Sequence, residues 1–274
     1  MNSVEQWQRL QDRSFLYQAV RADGEESYWS RYARNYDLRR HAGDGLAAEL
    51  DRVMGLIEPA CSVLEIGAGT GAFTLPVARK AASVTVVEPS PAMAALLEEK
   101  LRRNDVGNVV LQRRRWQEAA VAVHDVVLAA GCIYVFYDIA AALAKMADHA
   151  RHLVILTSGL NNTSAIYNEA ARTLGVAPPS PGPDYLHLQR VLCQMGMPPD
   201  LAILRSRSSI TFDDPEHAVS VWAERLQLAT DQTPGLRAYF EERLRPLPSG
   251  QWTLGEVDDV RVVLWWRVSH PLPG

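Results

Sequence analysis

The chain has 274 residues, 47% hydrophobic and 22% charged, an ordinary globular composition long enough to bury a large core without disulfide staples. A formal charge of −4 argues against a phosphate-backbone partner, so no nucleic-acid partner is expected, and Arg113-Arg114-Arg115 reads as a charged strand end in water. Cys61, Cys132 and Cys193 form no CxxC pair, so neither a disulfide framework nor a metal site is expected.

The opening segment MNSVEQWQRLQDRSF lacks the apolar core of a signal peptide, and no apolar run reaches the roughly 18 residues that span a bilayer. A cytoplasmic setting with no membrane partner is the expectation. Residues 4–20 and 26–36 predict two leading helices that form an N-terminal cap within 1–44. Leu46, Leu50, Val53, Met54 and Ile57 fall at helical spacing ahead of a buried strand at 62–67. A helix over 72–81 and a valine-rich strand over 83–87 follow. Pro89-Ser90-Pro91 is a helix start, and Met93, Leu96, Leu97 and Leu101 then give one apolar face. Strands are predicted at 108–112, 124–129 and 152–156, with a helix marked by Ile139, Leu143 and Met146 before the last. Continuous apolar strands separated by helices imply an α/β fold with a parallel sheet covered on both faces.

The pattern then changes. Residues 161–175 and 185–195 predict helices around a proline-dense loop at 177–183, and 203–212 predicts a strand. Asp213-Asp214-Pro215-Glu216 opens a helix with Val219, Trp222 and Leu226 on one face, and 260–268 reads as a long closing strand. The domain expected over 45–274 therefore carries helical insertions near 160–200 and 213–250. Trp265-Trp266 reads either as an exposed contact surface or as an inner strand between helices. The oligomeric state does not follow from the sequence.

The segment VLEIGAGTGAFTLPVA carries the chemistry. Gly67, Gly69 and Gly71 alternate in a strand-to-helix turn, where glycine permits unusual backbone angles and close ligand approach. Such a turn aims helix N-terminal amides at the crevice beyond the strand ends. Nineteen residues past Gly69, Glu88 ends the second strand, where a carboxylate can accept both hydroxyl protons of a ribose. These features alone fit a nicotinamide enzyme or a methyltransferase. The nicotinamide fingerprint is GxGxxG, whereas this turn is GxGxG, and Glu65 stands two residues ahead of the first glycine.

On Glu65-x-Gly67-x-Gly69-x-Gly71, Glu88 and the strand at 124–129 with its following helix, the sequence resembles the class I S-adenosylmethionine-dependent methyltransferases. The match covers residues 27–157 and the closing strands. The resemblance implies a Rossmann-like, seven-stranded, mostly parallel sheet whose last strand, 260–268, is antiparallel. It implies S-adenosylmethionine as cofactor, with Glu65, Gly67, Ala68, Gly69 and Gly71 under its amino acid part and Glu88 with Pro89 at the ribose. Met93, Trp116, Gln117 and Ala130 complete the cofactor residues, with Trp116 and Gln117 flanking adenine. An Asp is common after the family's third strand, and Arg115-Trp116-Gln117-Glu118 departs from that. Tyr28-Trp29-x-x-Tyr32-Ala33-x-x-Tyr36-Asp37 resembles the cap helix that precedes this fold in many small-molecule methyltransferases; Tyr32, counted with the cofactor residues, or Tyr36 would then close over the sulfonium or the acceptor, since aromatic faces attract cations.

Methyl transfer needs an aligned nucleophile more than a catalytic triad, and the sequence shows none. The loop after the fourth strand supplies Tyr134 and Tyr137 as the catalytic, acceptor-side residues, with Cys132 nearby as a small buried hydrophobe. His187 is the weaker candidate for a base. The Asn/Asp-Pro-Pro-aromatic run of exocyclic-amine nucleic-acid methyltransferases, the carboxylates of metal-assisted catechol methylation and the paired glutamates of arginine methylation are missing at the corresponding places. The expected function is methyl transfer to a small-molecule acceptor. A non-catalytic S-adenosylmethionine or S-adenosylhomocysteine-binding protein and a nicotinamide-dependent oxidoreductase stay as alternatives.

Overall fold

The computed structural model describes residues 2–24, 26–31, 33, 45–160 and 164–268. Tyr32, expected at the cofactor, and most of the second half of the expected cap lie outside the described residues. The single helix expected over 4–20 is two helices, α1 (Ser3–Gln11) and α2 (Phe15–Asp23). The break falls at Asp12-Arg13-Ser14 because the Ser14 hydroxyl accepts from the Tyr17 amide and caps α2, as the Asn2 side chain caps α1. Residues 26–31 are again helical.

The core then alternates strand and helix. It runs α3 (Gly45–Leu56), β1 (Ser62–Ile66), α4 (Thr74–Lys80), β2 (Ser83–Val87), α5 (Pro91–Arg103), β3 (Val109–Gln112), β4 (His124–Ala130), α6 (Ile139–Asp148) and β5 (Ala150–Gly159). Helix starts follow their residues. Ser90 caps α5 with Pro91 at its first position, and Asp138 caps α6. Beyond β5 come α7 (Ser164–Leu174), α8 (Tyr185–Gln194), β6 (Asp200–Phe212), α9 (Pro215–Arg225), α10 (Thr233–Arg243), β7 (Arg245–Pro246) and β8 (Trp252–Arg267). Among the described residues no helix is long and apolar enough to cross a membrane.

The strands lie in the order β3-β2-β1-β4-β5-β8-β6, with β7 paired to β8. The first five are parallel, and β8 runs antiparallel to β5 and β6 as expected. The two-residue β7 makes the sheet eight-stranded rather than seven. β8 also begins at Trp252, well before residue 260, because its first half carries Gly255, Glu256, Asp258 and Asp259 instead of an apolar run. Trp265 and Trp266 sit on an inner strand: Trp266 is buried, and Trp265 lies under the Arg52 guanidinium at 4.3 Å.

The period of two splits the sheet between two cores. Leu64, Ile66, Val127, Val154 and Leu264 face α6 and α8, while Val63, Val86, Leu128, Ile155 and Val263 face α3, α4 and α5. A third cluster, with Trp222, Phe212 and Phe240 at its centre, forms among α7, α9, α10 and the outer ends of β6 and β8. The chain leaves β1 in one direction and returns to β4 on the other side, so the crevice at the carboxyl ends of β1 and β4 is the topological switch point where such sheets bind ligands.

At the opposite edge, Asp125 locks β1 to β4. Its carboxylate accepts from the Ser62 amide at 2.8 Å and the Ser62 hydroxyl at 2.8 Å, and that hydroxyl accepts from the Asp125 amide at 2.9 Å. The Ser62 amide and hydroxyl bonds, helped by Arg151, hold the Asp125 carboxyl down from 3.8 to about 2. A depressed carboxyl contributes stability above its ordinary pKa, and that contribution is lost as pH falls from 3.8 toward about 2. Asp125→Asn should therefore cost on the order of 1–2 kcal/mol at pH 7, allowing for solvent at this partly exposed site. Urea unfolding at pH 7 and near pH 2 should show the gap between parent and variant closing in acid.

Candidate functional site

The turn from β1 to α4 leaves the sheet at the switch point. Its three glycines have φ of +68°, +57° and +89° at Gly67, Gly69 and Gly71. A Cβ on Gly67 would lie 2.7 Å from the Cys132 Cβ, and one on Gly71 would lie 2.5 Å from a Leu97 methyl. Two constraints therefore demand glycine at both places, backbone angle and packing. The Cys132 thiol donates to the Ile66 carbonyl at 3.1 Å, so the β4 loop is fastened directly beneath the turn.

Glu88 ties the turn to the next strand. It is 5% exposed; its carboxylate accepts from the Gly69 amide at 2.8 Å and from the Ser90 amide at 2.9 Å. The same carboxylate borders a cavity of about 620 Å³. Of the expected cofactor residues, Gly67, Gly69, Glu88, Pro89, Met93, Trp116 and Gln117 line this cavity. Glu65, Ala68, Gly71 and Ala130 do not; they are buried behind it as strand and turn supports.

Trp116 and Gln117 differ in kind. Gln117 is exposed, whereas Trp116 is 2% exposed and its indole N–H donates to the Ala142 carbonyl at 3.2 Å. The Lys145 ammonium lies 4.5 Å from the Trp116 ring centroid and donates to its carbonyl at 2.7 Å. Trp116 is thus a core residue of the α6 face that also presents an edge to the cavity.

Tyr134 and Tyr137, expected together, separate. Tyr137 lines the first cavity only; it stacks on Tyr17 at 5.7 Å and its hydroxyl donates to Asp12 at 3.2 Å. Desolvation and the Asp12 carboxylate raise its pKa above 10, which keeps it a neutral donor. Tyr134 borders both this cavity and a second one of about 580 Å³. Gly131, Leu16 and Trp29 are likewise shared by the two. His187 is engaged in capping α8, with its ring nitrogen 2.6 Å from Asp184, and does not line either cavity.

Sequence reasoning missed the residues that hold Tyr134. The buried Trp7 indole donates to the Phe136 carbonyl at 2.8 Å, and the buried Gln11 amide donates to the Tyr134 carbonyl. The two lie one helical turn apart on α1, a visible spacing whose partners are more than a hundred residues away. Also missed was the floor of the second cavity. There Arg261 donates to Glu49 at 2.7 Å and to Asp259 at 2.9 Å. Burial works against the Arg261 charge, but Glu49 and Asp259 outweigh it and push the guanidinium pKa up.

Residues 63–152 match the family model described as a methyltransferase domain. That match covers about a third of the chain, from β1 to the start of β5. No curated protein matches the chain. Two solved structures share the fold of this chain at low identity. A candidate methyltransferase from Bacillus halodurans C-125 is 11% identical, with a TM-score of 0.55 over 81% of this chain and 100% of that one. The YcgJ protein from Bacillus subtilis is 13% identical, with a TM-score of 0.52 over 83% and 99%.

In this chain the glycine turn is a packing device before it is a binding one. Gly67→Ala should cost about 1–3 kcal/mol, the range for a strained backbone joined to a core clash. Thermal unfolding should show a midpoint lower by at least ~2 °C. An unchanged midpoint would mean that Cys132 yields freely to the added methyl group.

Proposed function

We propose that this enzyme holds S-adenosylmethionine in the first cavity and methylates a small molecule held in the second. The observation that carries the reading is that the two cavities meet at Gly131 and Tyr134, directly beyond the glycine turn and Glu88. The residues fit the cofactor: a turn whose Gly67 and Gly69 open backbone onto the cavity, a buried carboxylate at the end of β2, and an apolar wall from Met93 and Pro89.

In this reading Glu88, already oriented by two amides, accepts the ribose hydroxyls with its remaining lone pairs. Gly67 and Gly69 admit the amino acid part, supported from behind by Glu65, Ala68, Gly71 and Ala130. Met93, Trp116 and Gln117 enclose adenine, with Pro89 beside Glu88 at the ribose. When bound, the sulfonium supplies a methyl group with a neutral thioether as leaving group. The chain's contribution is alignment and exclusion of water, which supply large effective molarities without a triad. Tyr134 stands at the junction, where it orients the acceptor; Tyr137 serves the cofactor side of the rim.

The division follows: 1–44 as cap, 45–274 as the cofactor domain with insertions near 160–200 and 213–250. α2 and the loop at 177–183 cover the second cavity, which suits a small acceptor better than a polymer and argues against nucleic acid. A cytoplasmic location is part of the same proposal.

Calorimetric titration with S-adenosylmethionine, S-adenosylhomocysteine and NADH in parallel tests it. The first two should bind at micromolar levels and NADH should not. Glu88→Ala should weaken S-adenosylhomocysteine by about 1–3 kcal/mol, and Glu88→Gln by less, because the amide still accepts one bond. Binding of NADH alone, or an Ala variant as tight as the parent, would overturn the assignment.

A further inference from the structure

We propose that the second cavity selects an acceptor carrying a protonated amine on an apolar body, an inference that rests on reading this cavity as the acceptor pocket. Three observations converge on it.

The first is charge. The described lining holds Glu49, Glu224 and Asp259 against Arg225 and Arg261, which leaves one negative charge in excess. No lysine or histidine lines the cavity among the described residues. At its floor the imbalance is local, since the Glu49 and Asp259 carboxylates share the one guanidinium of Arg261. The Glu49 side chain is 3% exposed, so water screens the floor weakly. A carboxylate-bearing acceptor would add a like charge there, whereas a cation balances the excess.

The second is the walls. Trp7, Phe15, Tyr28, Trp29, Tyr134 and Tyr167 border the space, and aromatic faces attract cations while packing an apolar body. The fold already uses this chemistry at the rim, where the Arg225 guanidinium lies 5.5 Å from the Phe15 centroid and 5.0 Å from that of Tyr167.

The third is an unused acceptor. Thr157, at the end of β5, is 1% exposed, borders the cavity, and its hydroxyl oxygen has no hydrogen-bond partner among the described residues. Buried polar atoms are nearly always partnered, and an ammonium brings three donors, enough to reach both a carboxylate and this hydroxyl. The floor is also fixed in place. Arg261 pairs with Gly159 in the sheet register, and Asp259 pairs with Ser206.

The experiment titrates the protein saturated with S-adenosylhomocysteine with three probes of one size: tryptamine, tryptophol and indole-3-acetate. Tryptamine should bind at least ~10-fold tighter than tryptophol, from charge balance and cation–π attraction together, and indole-3-acetate should bind weakest. Asp259→Asn removes the excess charge and should erase most of the preference of tryptamine over tryptophol. Should Asp259→Asn fold poorly, Thr157→Val serves as the second arm: it removes the unpartnered hydroxyl and should narrow the same preference. No binding of tryptamine at millimolar concentration, equal binding of all three, or preference for the acid would overturn the proposal. S-adenosylhomocysteine binding is read in the same titrations. Its failure would instead sink the cofactor reading, so the two failures are told apart.

Discussion

The carboxylate of Glu88 is the interaction on which the site depends. By accepting from the Gly69 and Ser90 amides it joins the turn after β1 to the turn after β2, the two edges of the crevice. Both amides belong to loops that precede helices, α4 and α5, where backbone donors lack intrahelical partners. A buried carboxylate left alone would be costly; here its charge is met by these donors before any ligand arrives. The group that orders the loops is thus the group that faces the first cavity, so the site is organised in advance of binding.

The cap extends the same logic to the other side of the crevice. The loop after β4 carries Tyr134, and its carbonyls at 134 and 136 are occupied by Gln11 and Trp7 of α1. Irregular backbone next to two cavities needs its polar groups satisfied, and α1 satisfies them with side chains that are themselves buried. Packing of α1 against α8 then links the loop to the first insertion. The position of Tyr134 is accordingly set by α1 as well as by its own 3-10 turn.

What the sequence made legible follows from which interactions are local. β1 and β2 are buried on both faces, so their boundaries stand out as apolar runs, and Ser83–Val87 needed no adjustment. Glu88 and the glycines were legible because a short turn encodes its own backbone angles. The break between α1 and α2 was not, because Ser14 serves equally as a helix residue or as a cap until the fold chooses. β8 hid its outer half behind acidic residues that pair with β6 instead of entering the core. Trp116 was legible as a residue near the site but not as one whose N–H is committed to Ala142. Tyr134 and Tyr137 looked equivalent because the pattern does not show that the 3-10 turn Ile133–Val135 ends at Phe136 in an extended conformation, which swings Tyr137 onto Tyr17.

The third hydrophobic cluster gives the second cavity a roof cored apart from its floor. Its members share nothing with the two cores of the sheet, so the roof formed by α7 and α9 is stabilised independently of the cofactor crevice. Among the described residues the roof side meets the cap where the Arg225 guanidinium lies across Phe15 and Tyr167, and where Gly182 closely approaches the Ser14 hydroxyl. The floor is the reverse. Thr157, Asp259 and Arg261 stand on central strands whose register is held by continuous antiparallel pairing, with Glu49 brought down by α3. Directional polar contacts lose strength with small displacements, whereas apolar contacts tolerate them. Placing Thr157, Asp259 and Arg261 on the sheet, apart from the separately cored roof, keeps the polar end of the cavity registered beside the cofactor crevice.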